Sequence, residues 1–320
     1  MCQILLAIIE IHNLMNKLFT FLKGMAMGAA DVVPGVSGGT IAFITGIYDT
    51  LLESIRRVNP SLIGIIRKDG IKGAYEHING TFLICLFGGI LTSIFTFAKV
   101  ITWMLETHPI PLWSFFFGLI IISVIHMFKQ VDKWTIGRFI AIIFGAVFAY
   151  GITVLHPVAM EPTPINVLIA GAIAICAMIL PGISGSFILL LLGMYAPILA
   201  AAKSFDVVTL GTFAIGCLIG LLSFSHFLSW LLRNYRDLAL TFLTGLMIGT
   251  LSKIWPWKEV ISWRVNSHGE QVPLLEHNLS PFSFEQVTGQ PALIAYAVLA
   301  MILGIAVVWG LEKFAAAEQK

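Results

Sequence analysis

The pentapeptide Pro-Gly-x-Ser-Gly occurs twice in this chain, at 34–38 and 181–185, and each copy interrupts an apolar stretch. The likeness runs outward from both copies at a constant offset of 147 residues. Gly24 falls on Gly171, Ser37 on Ser184, Gly46 on Gly193 and Tyr48 on Tyr195. Further on the offset drops to 131, where Gly89 meets Gly220, and then to 127, where Phe115 and Leu119 meet Phe242 and Leu246. The chain is an internal duplication whose first copy carries a longer loop between Arg56 and Gly80. A duplication decides architecture before any local propensity does.

Hydrophobic residues make up 58% of the sequence and charged residues 11%, against about 25% charged in soluble domains. That balance indicates an integral membrane protein. The apolar runs are long and unbroken, which points to helices rather than the short alternating strands of a membrane barrel. Of the four cysteines (Cys2, Cys85, Cys176, Cys217), none is spaced as a C-x-x-C pair, so small apolar packing is their expected role. The eight histidines include no pair at ligand spacing, and no basic tract resembles a nucleic-acid site. No metal, cofactor or nucleic-acid partner is expected.

In chain order, residues 1–23 read as an N-terminal extension and interfacial helix. The first 14 lack a basic start and a small-residue cleavage site, and Met15-Asn-Lys17 offers an alternative start. Repeat 1 spans 24–156: a re-entrant hairpin at 24–55, a basic polar loop at 56–80, then spans at 81–104, 110–128 and 136–156. From Gly24 to the first break is about 10 residues, or roughly 15 Å of helix, which is half a bilayer. Repeat 2 spans 165–312: a hairpin at 165–200, spans at 208–232, 238–255 and 291–312, and a polar outer loop at 256–290. Trp257 and Trp263 make that loop an interface-facing cap.

Three full spans lie between the hairpins, so the second enters from the opposite face and the repeats are inverted. The basic residues agree. With both termini and the 56–80 loop in the cytoplasm, 14 of the 19 lysines and arginines lie inside, and the outer loops at 105–109 and 157–164 carry none. The expected fold is therefore an all-α inner-membrane protein of two inverted-topology repeats, each with a re-entrant broken helix. Inverted repeats with broken helices at the midplane mark secondary transporters.

A helix broken within lipid leaves backbone N–H and C=O groups that cost several kcal/mol each unless something satisfies them. Pro34 and Gly35 break the first helix. Ser37, Gly38, Gly39 and Thr40 open the next half-helix, with N–H and hydroxyl groups suited to an anion such as phosphate. Pro181, Gly182, Ser184, Gly185 and Ser186 repeat the arrangement. The plainer reading is that these glycines only let helices pack closely. Asp31 is the one acidic residue between Ile11 and Asp49 and lies within a turn of the break. An intramembrane carboxylate is a functional candidate, here as a proton carrier exchanged against an anion. The competing reading is a cap on local N–H groups. Met178 stands at the matching position, so either role belongs to one repeat. His226 reads as a packing histidine. Arg56 and Arg57 could draw phosphate towards the inner mouth, although topology alone explains basic residues there.

From Gly24 through Thr40, and again through Leu180-Pro-Gly-Ile-Ser-Gly185, the sequence resembles a bacterial membrane family once of unknown function and now assigned as polyprenyl-phosphate transporters. The likeness covers nearly the whole chain after residue 15. It implies a flippase returning undecaprenyl phosphate, the lipid carrier of cell-envelope synthesis, from the outer to the inner leaflet. The partners expected are that lipid, membrane lipids, a coupling proton or cation, and a second copy in a homodimer. A membrane phosphatase acting on undecaprenyl pyrophosphate is the rival. In that family the motif continues with Arg, where Gly38 and Gly185 stand here, and a pair of membrane glutamates is also used. Phosphoryl hydrolysis needs a cation on the developing charge. A small-anion transporter is the third reading.

Overall fold

The first helix, α1 (Cys2–Val32), runs without interruption up to the first break. The computed structural model describes residues 2–33, 36–155, 158, 160–265 and 271–318. Past the break come α2 (Gly38–Ile44) and α3 (Tyr48–Arg56). The stretch expected to be a polar loop instead forms α4 (Ser61–His77). Exposed Ile63, Ile66 and Ile71 alternate there with exposed Arg67, Lys68 and Lys72, the composition of a helix lying along a membrane interface. Its helical signal is masked by Gly70, which kinks it at φ +69°, a conformation that side chains with a Cβ avoid.

Three long helices complete the first half: α5 (Gly80–Thr107), α6 (Pro109–Lys129) and α7 (Ile136–Val154). The second half repeats the order with α8 (Pro164–Ile179), α9 (Gly185–Leu191), α10 (Tyr195–Ser204), α11 (Val207–Asn234) and α12 (Arg236–Thr250). Then follow β1 (Lys258–Val265), β2 (Gln271–Asn278), α13 (Pro281–Thr288) and α14 (Ile294–Glu318). Among the described residues, α5, α6, α7 and α11 are long and apolar enough to cross a membrane, and the α9–α10 pair is bent by 107°. With 15 residues, α12 is about 22 Å long, short of a bilayer core. Its Leu240, Leu243, Leu246 and Met247 are fully buried, so protein rather than lipid surrounds it.

Helix α1 packs on α5 and α8 on α11, while α6 takes α14 as its partner and α12 takes α7. Glycines set these contacts. A Cβ at Gly24 would lie 2.2 Å from the Leu86 carbonyl oxygen, and its counterpart Gly171 would meet that of Phe213 at 2.5 Å. Gly145 and Gly304 would strike the carbonyls of Phe242 and Phe115, at 2.4 and 2.2 Å. Those two carbonyls belong to residues already matched by the duplication, so each half lends its last helix to the other.

The segment after α12 corrects the all-α expectation: the protein is mostly helical, with one antiparallel hairpin among the described residues, pairing Lys258 with Asn278 and Trp263 with Pro273. The β-branched and aromatic run Val260, Ile261, Trp263 and Val265 favours strand. The Trp257 indole N–H donates to the Ala292 carbonyl at 2.8 Å, and that of Trp255 to the Leu279 carbonyl at 2.8 Å. Lys253 and Lys258 both donate to Glu276, at 3.1 and 3.4 Å, and Lys258 also sits 4.2 Å from the centroid of the Trp113 ring. The cap is thus clamped onto α6 and α14.

Candidate functional site

At the start of α2, Ser37 has extended backbone and its Oγ accepts from the Gly39 N–H at 3.1 Å. The same hydroxyl lies 3.2 Å from the Met178 carbonyl and 3.3 Å from that of Leu180, and donates to one of them. The Gly182 N–H donates to Thr40 Oγ1 at 2.9 Å, and the Tyr48 hydroxyl donates to the Ile179 carbonyl at 3.1 Å. These bonds join the first break directly to the second. The fit is close, because a Cβ at Gly39 would lie 2.5 Å from the Ile179 carbonyl oxygen. Gly182 has φ +87° and sits where a Cβ would meet Thr250 Oγ1 at 2.8 Å, so both conformation and space demand glycine.

The Asp31 carboxylate accepts from the Gly38 N–H at 2.6 Å, the capping role anticipated as one of its two readings. The Gly39 N–H goes to Ser37 Oγ and the Thr40 N–H to the Ser37 carbonyl. The donors expected to face an anion are therefore held by the protein in this conformation. Pro34 and Gly35 lie outside the described residues. On the second break Pro181, Gly182, Ser184 and Gly185 are buried, and the Ser184 and exposed Ser186 hydroxyls are 2.9 Å apart. Arg56 and Arg57 are not at the breaks. They stand at the far end of α3, where Arg56 grips Glu53 with two nitrogens at 2.9 and 2.5 Å, and Arg57 donates to the His77 carbonyl at 3.1 Å.

Three residues absent from the sequence-derived site belong to this region. Tyr48 was visible only as a repeat match with Tyr195. Thr250 and Lys253 line a cavity of about 10 Å³ with Gly182 and Ser184, which is room for no more than about one water. The Lys253 ammonium also lies 5.3 Å from the centroid of the Phe187 ring. It places a cation beside the second break, which the motif itself lacks, and its partner Glu276 is 23 residues away. No local spacing signals that pairing. His226 donates through Nδ1 to the Leu222 carbonyl at 2.7 Å, as a packing histidine does. Cys176 and Cys217 donate across the α8–α11 contact to the Gly220 and Gly171 carbonyls, at 3.6 and 3.5 Å.

Comparison with known proteins bears on this arrangement. A polyprenyl-phosphate transporter of Vibrio cholerae serotype O1 is 68% identical over 301 residues, covering 94% of this chain and 98% of that protein. A polyprenyl-phosphate transporter of Staphylococcus aureus is 30% identical over 277 residues, covering 78% of this chain and 91% of that protein. No solved structure matches. Residues 27–272 match the model of the VCA0040-like family, described as undecaprenyl phosphate translocase-like. That stretch contains both breaks, all the cross-break bonds and Lys253, and the chain belongs to this family.

Proposed function

We propose that the protein carries polyprenyl phosphates, undecaprenyl phosphate among them, across the cytoplasmic membrane from the outer to the inner leaflet. The substrate class is supported by the family description and by the names of both relatives. The crossing point is the contact between the breaks, formed by Ser37, Gly38, Gly39 and Thr40 with Pro181, Gly182, Ser184, Gly185 and Ser186. The observation that carries this reading is the direct bonding of Ser37, Thr40 and Tyr48 to the backbone of residues 178–182. Polar backbone at that depth is tolerated only where protein or a water-filled path surrounds it.

The inverted arrangement is supported by the odd number of spans between the breaks, by the placement of the basic residues, and by glycine contacts that recur at matched positions. Asp31 couples a proton to the substrate. As a carboxylate it occupies the Gly38 N–H, and once protonated it accepts more weakly, so that a phosphate oxygen competes for that donor. At the outer end, Lys253 meets the arriving head group beside Ser184 and exchanges Glu276 for it.

Both relatives are named transporters, which favours carriage over hydrolysis. Where the phosphatase motif continues with arginine, Gly38 stands here with the Asp31 carboxylate packed against it, 2.5 Å from where a Cβ would lie. The test is purified protein in liposomes with fluorescent undecaprenyl phosphate in one leaflet, read with an impermeant quencher. Leaflet exchange without phosphate release from the pyrophosphate form is the expected result. Phosphate release would make the protein an enzyme, and the absence of both signals would move the reading to small anions.

A further inference from the structure

Along α3, from Asp49 to Arg57, a cavity of about 430 Å³ opens between that helix and the last turn of α11. Its charged lining is Asp49, Glu53, Arg57, Arg233 and Arg236, with Asn79 and Ser229 adding polar groups and Leu52 and Leu232 an apolar wall. The guanidiniums are unequally committed. Arg57 lies 3.5 Å from Glu53, whose main partner is Arg56, outside the lining. Arg236 pairs with Asp49 at 3.2 Å, with both side chains more than half exposed, so water and salt largely screen that pair. Arg233 makes no ion pair within 4 Å among the described residues, although its charge helps the Arg56 hydrogen bond to hold the Glu53 carboxyl below the usual range. Its Nε donates to the Ser229 carbonyl at 3.3 Å, and no bond of its two terminal nitrogens is found among those residues.

The positive-inside rule explains basic residues on this face. It does not explain three guanidiniums gathered around one polar pit. The duplication sharpens the contrast. The positions matching Arg233 and Arg236 in the first repeat are Glu106 and Pro109, and those matching Asp49 and Arg57 in the second are Ala196 and Ser204. The pit draws on both halves, and its charges are missing at the matched positions.

We propose that this cavity binds a phosphate monoester head group, with Arg233 and Arg236 as its main contacts and Arg57 as the third. The inference rests on the transport reading for its lipid and for the cytoplasmic side. The chemistry is that of the guanidinium fork, which meets phosphate oxygens two at a time. The volume falls within the roughly 300–1,000 Å³ of small-molecule sites. The phosphate displaces Asp49 from Arg236, and the apolar wall receives the first part of the chain. A free phosphate offers the same head-group chemistry as the lipid.

The test uses the full-length protein in nanodiscs, titrated calorimetrically with farnesyl phosphate, farnesol and inorganic phosphate. Arg233→Gln and Arg236→Gln should each weaken farnesyl phosphate binding about tenfold or more. Arg233→Lys should fall between, because it keeps the charge and loses the fork. Asp49→Asn should tighten binding, an effect that a purely structural role for these residues does not produce, and farnesol should not distinguish the variants. Inorganic phosphate that competes as strongly as the lipid head supports a site for phosphate itself. Weaker competition supports a site that also reads the chain. If both glutamine variants melt as the wild type does and bind farnesyl phosphate unchanged, the site is wrong. Arginine-dependent binding without leaflet exchange would instead sink the transport reading and leave the site standing.

Discussion

Ser37 serves both sides of the break with one hydroxyl, accepting from Gly39 within its own repeat and donating to a carbonyl of the other. Tyr48 adds a second tie, with its ring 5.0 Å from that of Phe43 and its hydroxyl on Ile179. Tyr48→Phe keeps the ring and removes the tie, and should lower stability by about 1 kcal/mol in a denaturant melt. Asp31→Asn keeps an oxygen for the Gly38 N–H and loses the titrating group. It should fold normally and lose the pH dependence of leaflet exchange, and a wild-type pH profile in that variant would remove the proton from the mechanism. In the cap, burial pushes the Lys258 amine down from 10.5 to about 8, against the opposing pull of Glu276. The folded protein therefore holds that proton less tightly than the unfolded chain does. The stability penalty is full below about pH 8 and fades as pH rises to 10.5. A tryptophan-fluorescence titration, taken as wild type minus Lys258→Met, should show a midpoint near 8, reporting the ammonium over Trp113. A midpoint above 10 would contradict that burial.

At the scale of elements, glycine has two separable uses. In the breaks it permits contact between two interrupted chains, and along α7, α12 and α14 it sets crossing distance. Gly145 and Gly151 on α7 provide a matched pair: a Cβ at Gly145 would strike the Phe242 carbonyl at 2.4 Å, whereas one at Gly151 meets nothing within 4 Å. Gly145→Ala should cost about 1–3 kcal/mol, and Gly151→Ala should be neutral or stabilising by up to about 1 kcal/mol, compared by thermal melting in detergent. The breaks and most helices were legible in the sequence, because proline, glycine and unbroken apolar runs act locally. The α4 helix was hidden by its glycines and charges. The β-hairpin was hidden because its two eight-residue strands lie in a polar segment between apolar runs. Lys253, Arg233 and Tyr48 were illegible as site residues for another reason: Glu276, the α3–α11 cavity and Ile179 are brought to them only by tertiary folding.

For the whole molecule, the exchange of helices between halves makes the two repeats one body, with α6 and α12 at its centre. The proposed inverted topology would put α4 in the cytoplasm and the hairpin cap outside. Ile71 and Phe282 are 82% and 74% exposed, so cysteine substituted at each reports its side. Phe282→Cys should react with an impermeant maleimide in intact cells, and Ile71→Cys only after the membrane is opened. The reverse pattern would invert the direction assigned to every step. The most direct test of the crossing point is leaflet exchange of undecaprenyl phosphate by Ser37→Ala combined with Ser184→Ala, at a protein level where the melt confirms folding. Exchange reduced to the protein-free rate is the predicted result, and exchange at the wild-type rate would mean that the phosphate crosses elsewhere.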